Sequence, residues 1–199
     1  MEAQGNPAVF MDRDGTIIEE RGYLRDPDGL SIMPEAFDAI KRINKNKLKA
    51  VVVTNQSGIA RGYFSEKQME EVHQRLTGLL MQKGAYLDGI YYCPHHPEGD
   101  ILEYRIKCKC RKPATGMLDL ASQELDIDLH RSYVIGDKTI DIELAHRVGA
   151  KGILVLTGYG KEQVELFNRE ASVKPHFIAD NILDAVNWIL SDLRSNTKD

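Results

Sequence analysis

Residues 9–16 read VFMDRDGT, an apolar run that leads into two carboxylates with one residue between them. The apolar residues predict a buried β-strand over residues 9–11, and side chains two apart on an extended chain share a face. Asp12 and Asp14 are therefore expected side by side at the end of this strand, before Gly15 turns the chain. Such a pair can hold Mg²⁺, with one acid attacking phosphorus and the other carrying a proton to the leaving oxygen. The alternative is a turn in which both residues are purely structural.

Outward from this segment, short apolar runs alternate with amphipathic segments. Strands are predicted over residues 9–11, 50–54, 89–92, 133–135, 153–156 and 176–178. Helices are predicted to begin at Pro34, to run from an N-cap at Ser65 until Gly84, and to cover residues 116–125, 139–148, 161–170 and 181–193. This alternation indicates an α/β fold, a three-layer doubly wound parallel sheet with helices on both faces.

Polar turns follow two further predicted strands. Residues 54–58 read TNQSG, whose hydroxyls, amides and main-chain N–H groups can cradle phosphate oxygens. Residues 136–141 read GDKTID, which adds Asp137 as a metal ligand and Lys138 as a cation. Asp141 can brace Lys138 or a metal-bound water, or it is simply an acid in the first turn of a helix, where the dipole favours it.

A pair of cations, Arg111 and Lys112, precedes the helix predicted at residue 116. Fixed positive charge is what a phosphate and its transition state require. Taken alone, a basic pair is typical of a solvent-exposed surface, and each polar turn can be purely structural. Because the carboxyl ends of parallel strands meet at one edge of the sheet, we expect all of these residues to share one crevice.

A cysteine and histidine cluster indicates a second metal. Cys93 and His95 form a C-x-H pair, and after twelve residues Cys108 and Cys110 form a C-x-C pair. Four such ligands make a closed tetrahedral zinc site, which is structural because no position is left for water. The metal would order the loop at residues 93–113. The alternative is three thiols beside surface histidines, and the role of His96 stays open.

Composition restricts the class of protein. The chain has 199 residues, of which 42% are hydrophobic and 28% charged, and its net charge is -4. These values are typical of one globular domain over residues 1–199, with no membrane span and no attraction to nucleic acid. The N-terminal residues show no secretory signal. We therefore expect a cytoplasmic protein, and a monomer because no exposed heptad or apolar patch is evident.

The sequence resembles the haloacid dehalogenase superfamily of aspartyl phosphatases. The resemblance rests on residues 12–16, Thr54, Lys112 with Pro113, and residues 136–141. It implies that Asp12 is the nucleophile and Asp14 the general acid and then base. It also implies that Mg²⁺ is held by Asp12, the Asp14 carbonyl and Asp137. Thr54 and Lys112 would hold the phosphoryl group, with Arg111 and Lys138 binding substrate.

Three longer segments narrow the resemblance to a branch that acts on a small sugar bisphosphate: residues 53–62, 91–97 and 110–113. Superfamily cap domains have no room here, so the site should be open. The expected substrate-binding residues are Glu20, Arg21, Gly22, Tyr23, Asn55, Gln56, Ser57, Arg111, Lys112 and Lys138. The rival readings are a phosphatase of histidinol phosphate, which Glu19 and Glu20 favour, a polynucleotide 3′-phosphatase, and a catalytically inactive zinc-stabilised binding protein.

Overall fold

The computed structural model describes residues 5–169 and 173–196. Within them, all paired strands run parallel in one six-stranded sheet of order β3-β2-β1-β4-β5-β6. The strands are β1 (Ala8–Met11), β2 (Lys49–Asn55), β3 (Gly89–Cys93), β4 (Tyr133–Gly136), β5 (Lys151–Val155) and β6 (Phe177–Ala179). The chain extends the sheet from β1 through β3 on one side and then crosses to β4. The crevice at this change of direction lies at the carboxyl ends of β1 and β4.

Helices cover both faces of the sheet. They are α1 (Pro34–Lys45), α2 (Glu66–Gln82), α3 (Gly116–Leu125), α4 (Thr139–Arg147), α5 (Gly160–Arg169) and α6 (Ile182–Asn196). The apolar faces of α1, α2 and α6 share one core cluster, whereas α3 and α4 pack into a second one. Phe167 of α5 packs with Ile142 of α4 in a smaller cluster. The three-layer α/β architecture predicted from the sequence is therefore confirmed.

The central strand β1 shows why the sheet lies in the middle layer. All four of its residues are fully buried. Val9 and Met11 point into the first core cluster, while Ala8 and Phe10 point into the second. A strand that is apolar on both faces can be buried only between two layers, so its end, where Asp12 begins, is enclosed from both sides.

Element ends differ from the predictions by up to three residues. The strand β5 was expected over residues 153–156 and occupies Lys151–Val155, because Lys151 and Gly152 pair with Tyr133 and Val134 of β4. The strand β6 lies one residue later than predicted. The predicted helix 161–170 begins one residue earlier, and its last residue lies outside the described ranges. The α2 prediction is confirmed, including the reciprocal Ser65 and Gln68 cap.

Two loops stand over the crevice. Residues 17–33 contain one 3-10 turn at Pro27–Gly29, and the loop after β3 contains another at Leu102–Tyr104. Neither holds a folded cap, as expected. Among the described helices, none combines the length and apolarity that a bilayer crossing requires.

Candidate active site

The carboxyl edge of the sheet holds a cleft of about 350 Å³. Its lining combines the ends of β1, β2 and β4 with the two loops and the turn after β5. The lining residues are Asp12, Asp14, Glu20, Gly22, Tyr23, Thr54, Asn55, Gln56, Ser57, Arg111, Lys112, Lys138, Ile140, Asp141 and Tyr159. The strand ends thus bring together the residues that the sequence placed in separate turns.

Lys112 lies at the centre of the buried charges. Its ammonium donates to Asp12 Oδ1 at 2.8 Å, Asp141 Oδ1 at 2.6 Å and the Val53 carbonyl at 2.9 Å. Burial alone would lower the pKa of Lys112, but the charges of Asp12 and Asp141 outweigh it and raise that pKa. The side chain is therefore a fixed cation beside the predicted nucleophile. Asp141, whose role was left open, braces Lys112 and also accepts from the Lys138 main-chain N–H at 3.2 Å.

Asp137 is a fully buried carboxylate beside Asp12. The Tyr159 N–H donates to its Oδ2 at 2.9 Å, whereas Oδ1 has no hydrogen-bond partner and lies 3.9 Å from Lys138 Nζ. Burial first, and then the charge of Asp12, raise the pKa of Asp137 to about 7. Carboxylate oxygens of Asp12, Asp137 and Asp141 all lie within 4.8 Å of one another. Such an acid cluster with an unpartnered buried oxygen fits a divalent cation.

The carboxylate of Asp14 is separate from that acid cluster. It accepts two bonds from Arg13, at 3.0 and 3.1 Å, and one from Gln56 Nε2 at 2.9 Å. Gln56 also donates to Thr54 Oγ1 at 2.8 Å. The side chain of Asp14 therefore lines the cleft without joining the acid cluster.

Asn55 joins two of the converging turns. Its amide accepts from the Lys112 N–H at 3.0 Å and donates to the Lys112 carbonyl at 3.2 Å. This two-way clamp fixes the main chain that carries Lys112 against the end of β2. Asn55 lines the cleft, but its amide is engaged in positioning Lys112 rather than free for a substrate.

The rim of the cleft is formed by the loop after β1. Glu20 lies 3.4 Å from Lys138 Nζ, and that ammonium lies 4.5 Å from the centre of the Tyr159 ring. Gly22 and Tyr23 also line the cleft. Arg21 does not, since it pairs with Glu19 at 2.8 Å and its side chain is about half exposed. Arg111 is held by the His95 carbonyl at 3.2 Å.

The predicted zinc ligands converge in a second cluster. The three sulfurs of Cys93, Cys108 and Cys110 lie 3.2–3.5 Å apart, and His95 Nδ1 is 3.3 Å from the Cys110 sulfur. None of these cysteines forms a disulfide. Burial raises the pKa of the Cys93 thiol, so thiolates this close need a cation. His96 lies outside the cluster and accepts from the Glu98 N–H.

Sequence reasoning missed two parts of the site. One is Arg13, which is buried behind Asp14. The other is the turn after β5, where Thr157 Oγ1 donates to the Gly15 carbonyl at 2.6 Å and Gly158, with φ of 53°, packs against Gly15 and Asp137. The signal for this turn was present, because residues 157–160 read TGYG directly after a predicted strand.

Several known proteins are similar in sequence to this chain along nearly its whole length. The HAD-hydrolase-like family model matches residues 109–185. A protein of Escherichia coli (strain K12), D-glycero-beta-D-manno-heptose-1,7-bisphosphate 7-phosphatase, is 42% identical over 193 residues, which are 96% of this chain and 92% of that protein. This chain belongs to the HAD-like hydrolase family. It is a phosphatase of this family, as its sequence predicted.

Further relatives agree with this assignment. A D-glycero-D-manno-heptose-1,7-bisphosphate 7-phosphatase of Thermosynechococcus vestitus is 41% identical over 94% of this chain and 97% of its own. Among solved structures, a D,D-heptose 1.7-bisphosphate phosphatase from B. bronchiseptica, complexed with magnesium and phosphate, has a TM-score of 0.81 at 27% identity, covering 94% of this chain and 99% of its own. A putative HAD-like phosphatase from Mesorhizobium loti has a TM-score of 0.80 at 34% identity, covering 96% and 87%.

Proposed function

We propose that this enzyme removes the 7-phosphate of D-glycero-D-manno-heptose 1,7-bisphosphate through an aspartyl-phosphate on Asp12. The observation that carries the chemistry is the convergence of Asp12, Asp137 and Lys112 at one strand edge, with Asp14 facing the same cleft. The proposed substrate is that of the relatives, which are 41–42% identical to this chain over the aligned residues.

Asp12 and Asp137, together with the Asp14 carbonyl, would hold Mg²⁺, which supplies positive charge to the phosphate when bound. An Asp12 oxygen bonds to phosphorus while the bond to the sugar oxygen breaks, and Asp14 donates its proton to that oxygen. Asp14 then accepts a proton from the water that bonds to phosphorus, and the bond to Asp12 breaks. Lys112 and Thr54 hold the phosphoryl oxygens through both steps.

We also propose that the cysteine cluster binds Zn²⁺ in a structural role. Three sulfurs and one imidazole nitrogen give the closed set typical of such sites. Arg111 follows Cys110 directly and is bonded to the His95 carbonyl. A metal at this cluster would therefore hold a substrate-binding cation in place without touching the substrate.

The acidic residues of the rim favour a sugar bisphosphate over histidinol phosphate. An amine and imidazole would need free carboxylates, but Glu19 is paired with Arg21 and Glu20 with Lys138. Arg111 lines the cleft and donates to a neutral carbonyl, so its positive charge remains available for a second phosphate. We further propose that the enzyme works as a monomer in the cytoplasm, where reduced thiols remain available to zinc.

The test is phosphate release from heptose bisphosphate, histidinol phosphate and a 3′-phosphorylated oligonucleotide, each with increasing Mg²⁺. We expect kcat/KM to be at least tenfold higher for heptose bisphosphate and to require Mg²⁺. Asp12→Asn should abolish turnover of every substrate, while the matched control Asp180→Asn, at an exposed position, should not change it. Equal turnover of histidinol phosphate would refute the substrate, and an active Asp12→Asn variant would refute the chemistry.

A further inference from the structure

Among the described residues, Arg13 is one of the largest side chains that are fully buried, and the proposed chemistry does not use it. It lies between the two catalytic carboxylates in sequence, with an exposed fraction of 1%. A buried arginine is expensive unless its charge and its donors are matched. Its partners therefore indicate why the fold keeps it there.

On one side, Arg13 grips Asp14 with two parallel bonds. Nε donates to Oδ2 at 3.0 Å and Nη2 donates to Oδ1 at 3.1 Å. This bidentate arrangement fixes the plane of the carboxylate as well as its position. Gln56 adds a third bond to Oδ2 from the cleft side.

On the other side, Arg13 is anchored to helix α2. Nη1 donates to the Met69 sulfur at 2.8 Å and lies 3.1 Å from His73 Nε2. Arginine only donates, so His73 must accept through an unprotonated Nε2. Burial, and then the charge of Arg13, lower the pKa of His73 to about 3, which keeps that ring a neutral acceptor. The Tyr92 ring packs edge-on against the His73 ring, with 5.6 Å between the ring centroids.

We propose that Arg13, anchored by His73, is a positioning residue that fixes Asp14 for proton transfer to and from the reacting oxygen. This inference rests on the proposed function of Asp14. Without the arginine fork the carboxylate can rotate away from the leaving oxygen, so the proton arrives late and the P–O bond must break with less assistance. A purely structural Arg13 would instead affect all substrates alike.

The leaving group separates these two roles. p-Nitrophenyl phosphate releases a weakly basic phenolate that scarcely needs a proton, whereas phenyl phosphate has the same ring and a more basic leaving oxygen. Because kcat/KM reports the steps up to P–O cleavage, the two substrates should respond differently. For Arg13→Lys, which keeps the charge but loses the fork, we expect kcat/KM to fall about 100-fold with phenyl phosphate, the lower end of what a positioned proton donor contributes. With p-nitrophenyl phosphate the fall should be several times smaller.

His73 provides an independent pair of variants in case Arg13→Lys does not fold. His73→Gln retains an acceptor for Nη1 and should preserve the wild-type ratio of the two kcat/KM values. His73→Phe leaves that donor unpaired and should shift the ratio in the same direction as Arg13→Lys. Circular dichroism and zinc content should be unchanged in all variants that are compared.

Equal losses for the two aryl phosphates in folded Arg13→Lys, or in His73→Phe, would overturn the proposal. If the enzyme hydrolyses the aryl phosphates but not heptose bisphosphate, the proposed substrate is wrong. The ratio of the kcat/KM values for the two aryl phosphates would still decide the role of Arg13. In the Asp14→Asn background, adding Arg13→Lys should not change the ratio of the two kcat/KM values, because no proton donor then remains to be positioned.

Discussion

Replacing Lys112 by Met tests the electrostatic centre of the site. Lys112 is 3% exposed and its ammonium is bonded to Asp12 and Asp141, so its removal leaves two buried carboxylates facing Asp137 without their cation. Removing one partner of a buried ion pair costs about 3–5 kcal/mol. Methionine fills a similar volume, so that cost should be mainly electrostatic. For a chain of this size it corresponds to a fall in Tm of roughly 6–20 °C.

The assay is urea unfolding without added Mg²⁺, at pH 8 and at pH 5. Burial already raises the pKa of Asp141, and loss of the Lys112 charge beside it should raise that folded-state pKa further in the variant. Groups with raised folded pKa values contribute stability at low pH and lose it as pH rises, so the difference from wild type should be larger at pH 8 and smaller at pH 5. Adding Asp141→Asn should recover part of the loss.

The control is Lys41→Met, which breaks the exposed pair with Asp38. Solvent screens an exposed pair, which therefore contributes little to stability, so this variant should unfold nearly like the wild type. A Lys112→Met loss below about 1 kcal/mol, or one that does not change with pH, would refute the electrostatic account.

Three further changes have defined outcomes. Cys108→Ser should first lower bound zinc, measured by atomic absorption, and Tm, with activity falling only as the folded fraction falls; intact zinc content would contradict the ligand assignment. Gly158→Ala places a methyl against Asp137 Oδ2 and 2.7 Å from Gly15 Cα, so kcat should fall sharply, whereas Gly78→Ala in α2, which meets nothing within 4 Å, should keep kcat and stabilise by about 0.5–1 kcal/mol. Asp137→Asn mimics the protonated acid, so without Mg²⁺ it should exceed wild-type stability at pH 8 by up to about 4 kcal/mol, from roughly three pKa units at 1.36 kcal/mol each. That advantage should vanish as pH falls below the unfolded pKa of Asp137, because the wild-type acid is then protonated in both the folded and the unfolded state. The check is urea unfolding of both proteins across this pH range, and a stability difference that stays constant with pH would contradict the prediction.

The fold was predictable because its signal is local. Each strand of the sheet is a short apolar run, and a run that is buried on both faces is typical of a parallel sheet. The ends were less predictable where pairing overrides local preference. Lys151 does not read as a strand residue, yet it pairs with Tyr133 and its ammonium reaches Asp192 at 2.6 Å.

Parts of the site were predictable for the same reason. Asp12 directly follows a predicted strand, Thr54 is the last residue of one, and Asp137 lies two residues beyond another. The proposed zinc ligands come in two close pairs, so spacing alone indicates that they converge. The contact of Lys112 with Asp141 could not be read in this way, because it joins two turns that meet only when the sheet is complete.

The side-chain positions of Arg13 and Arg21 could not be predicted from the sequence. An arginine between two acids reads as solvent-exposed, and only the packing of α2 against the end of β1 shows that Arg13 is buried. Arg21 lies in a segment predicted to bind substrate, but the loop conformation directs it to Glu19. Side-chain direction in an irregular loop depends on its local hydrogen bonds, which no periodicity encodes.

The most direct measurement is chemical trapping of the phosphorylated residue. The enzyme is mixed with excess heptose bisphosphate and Mg²⁺, quenched in acid within one turnover, and reduced with borohydride, which converts an aspartyl-phosphate to homoserine. Peptide mass spectrometry should find homoserine at position 12 in the wild type and none in Asp12→Asn. Reduction at another carboxylate, or rapid phosphate release with no reduced residue and an active Asp12→Asn enzyme, would contradict the covalent mechanism.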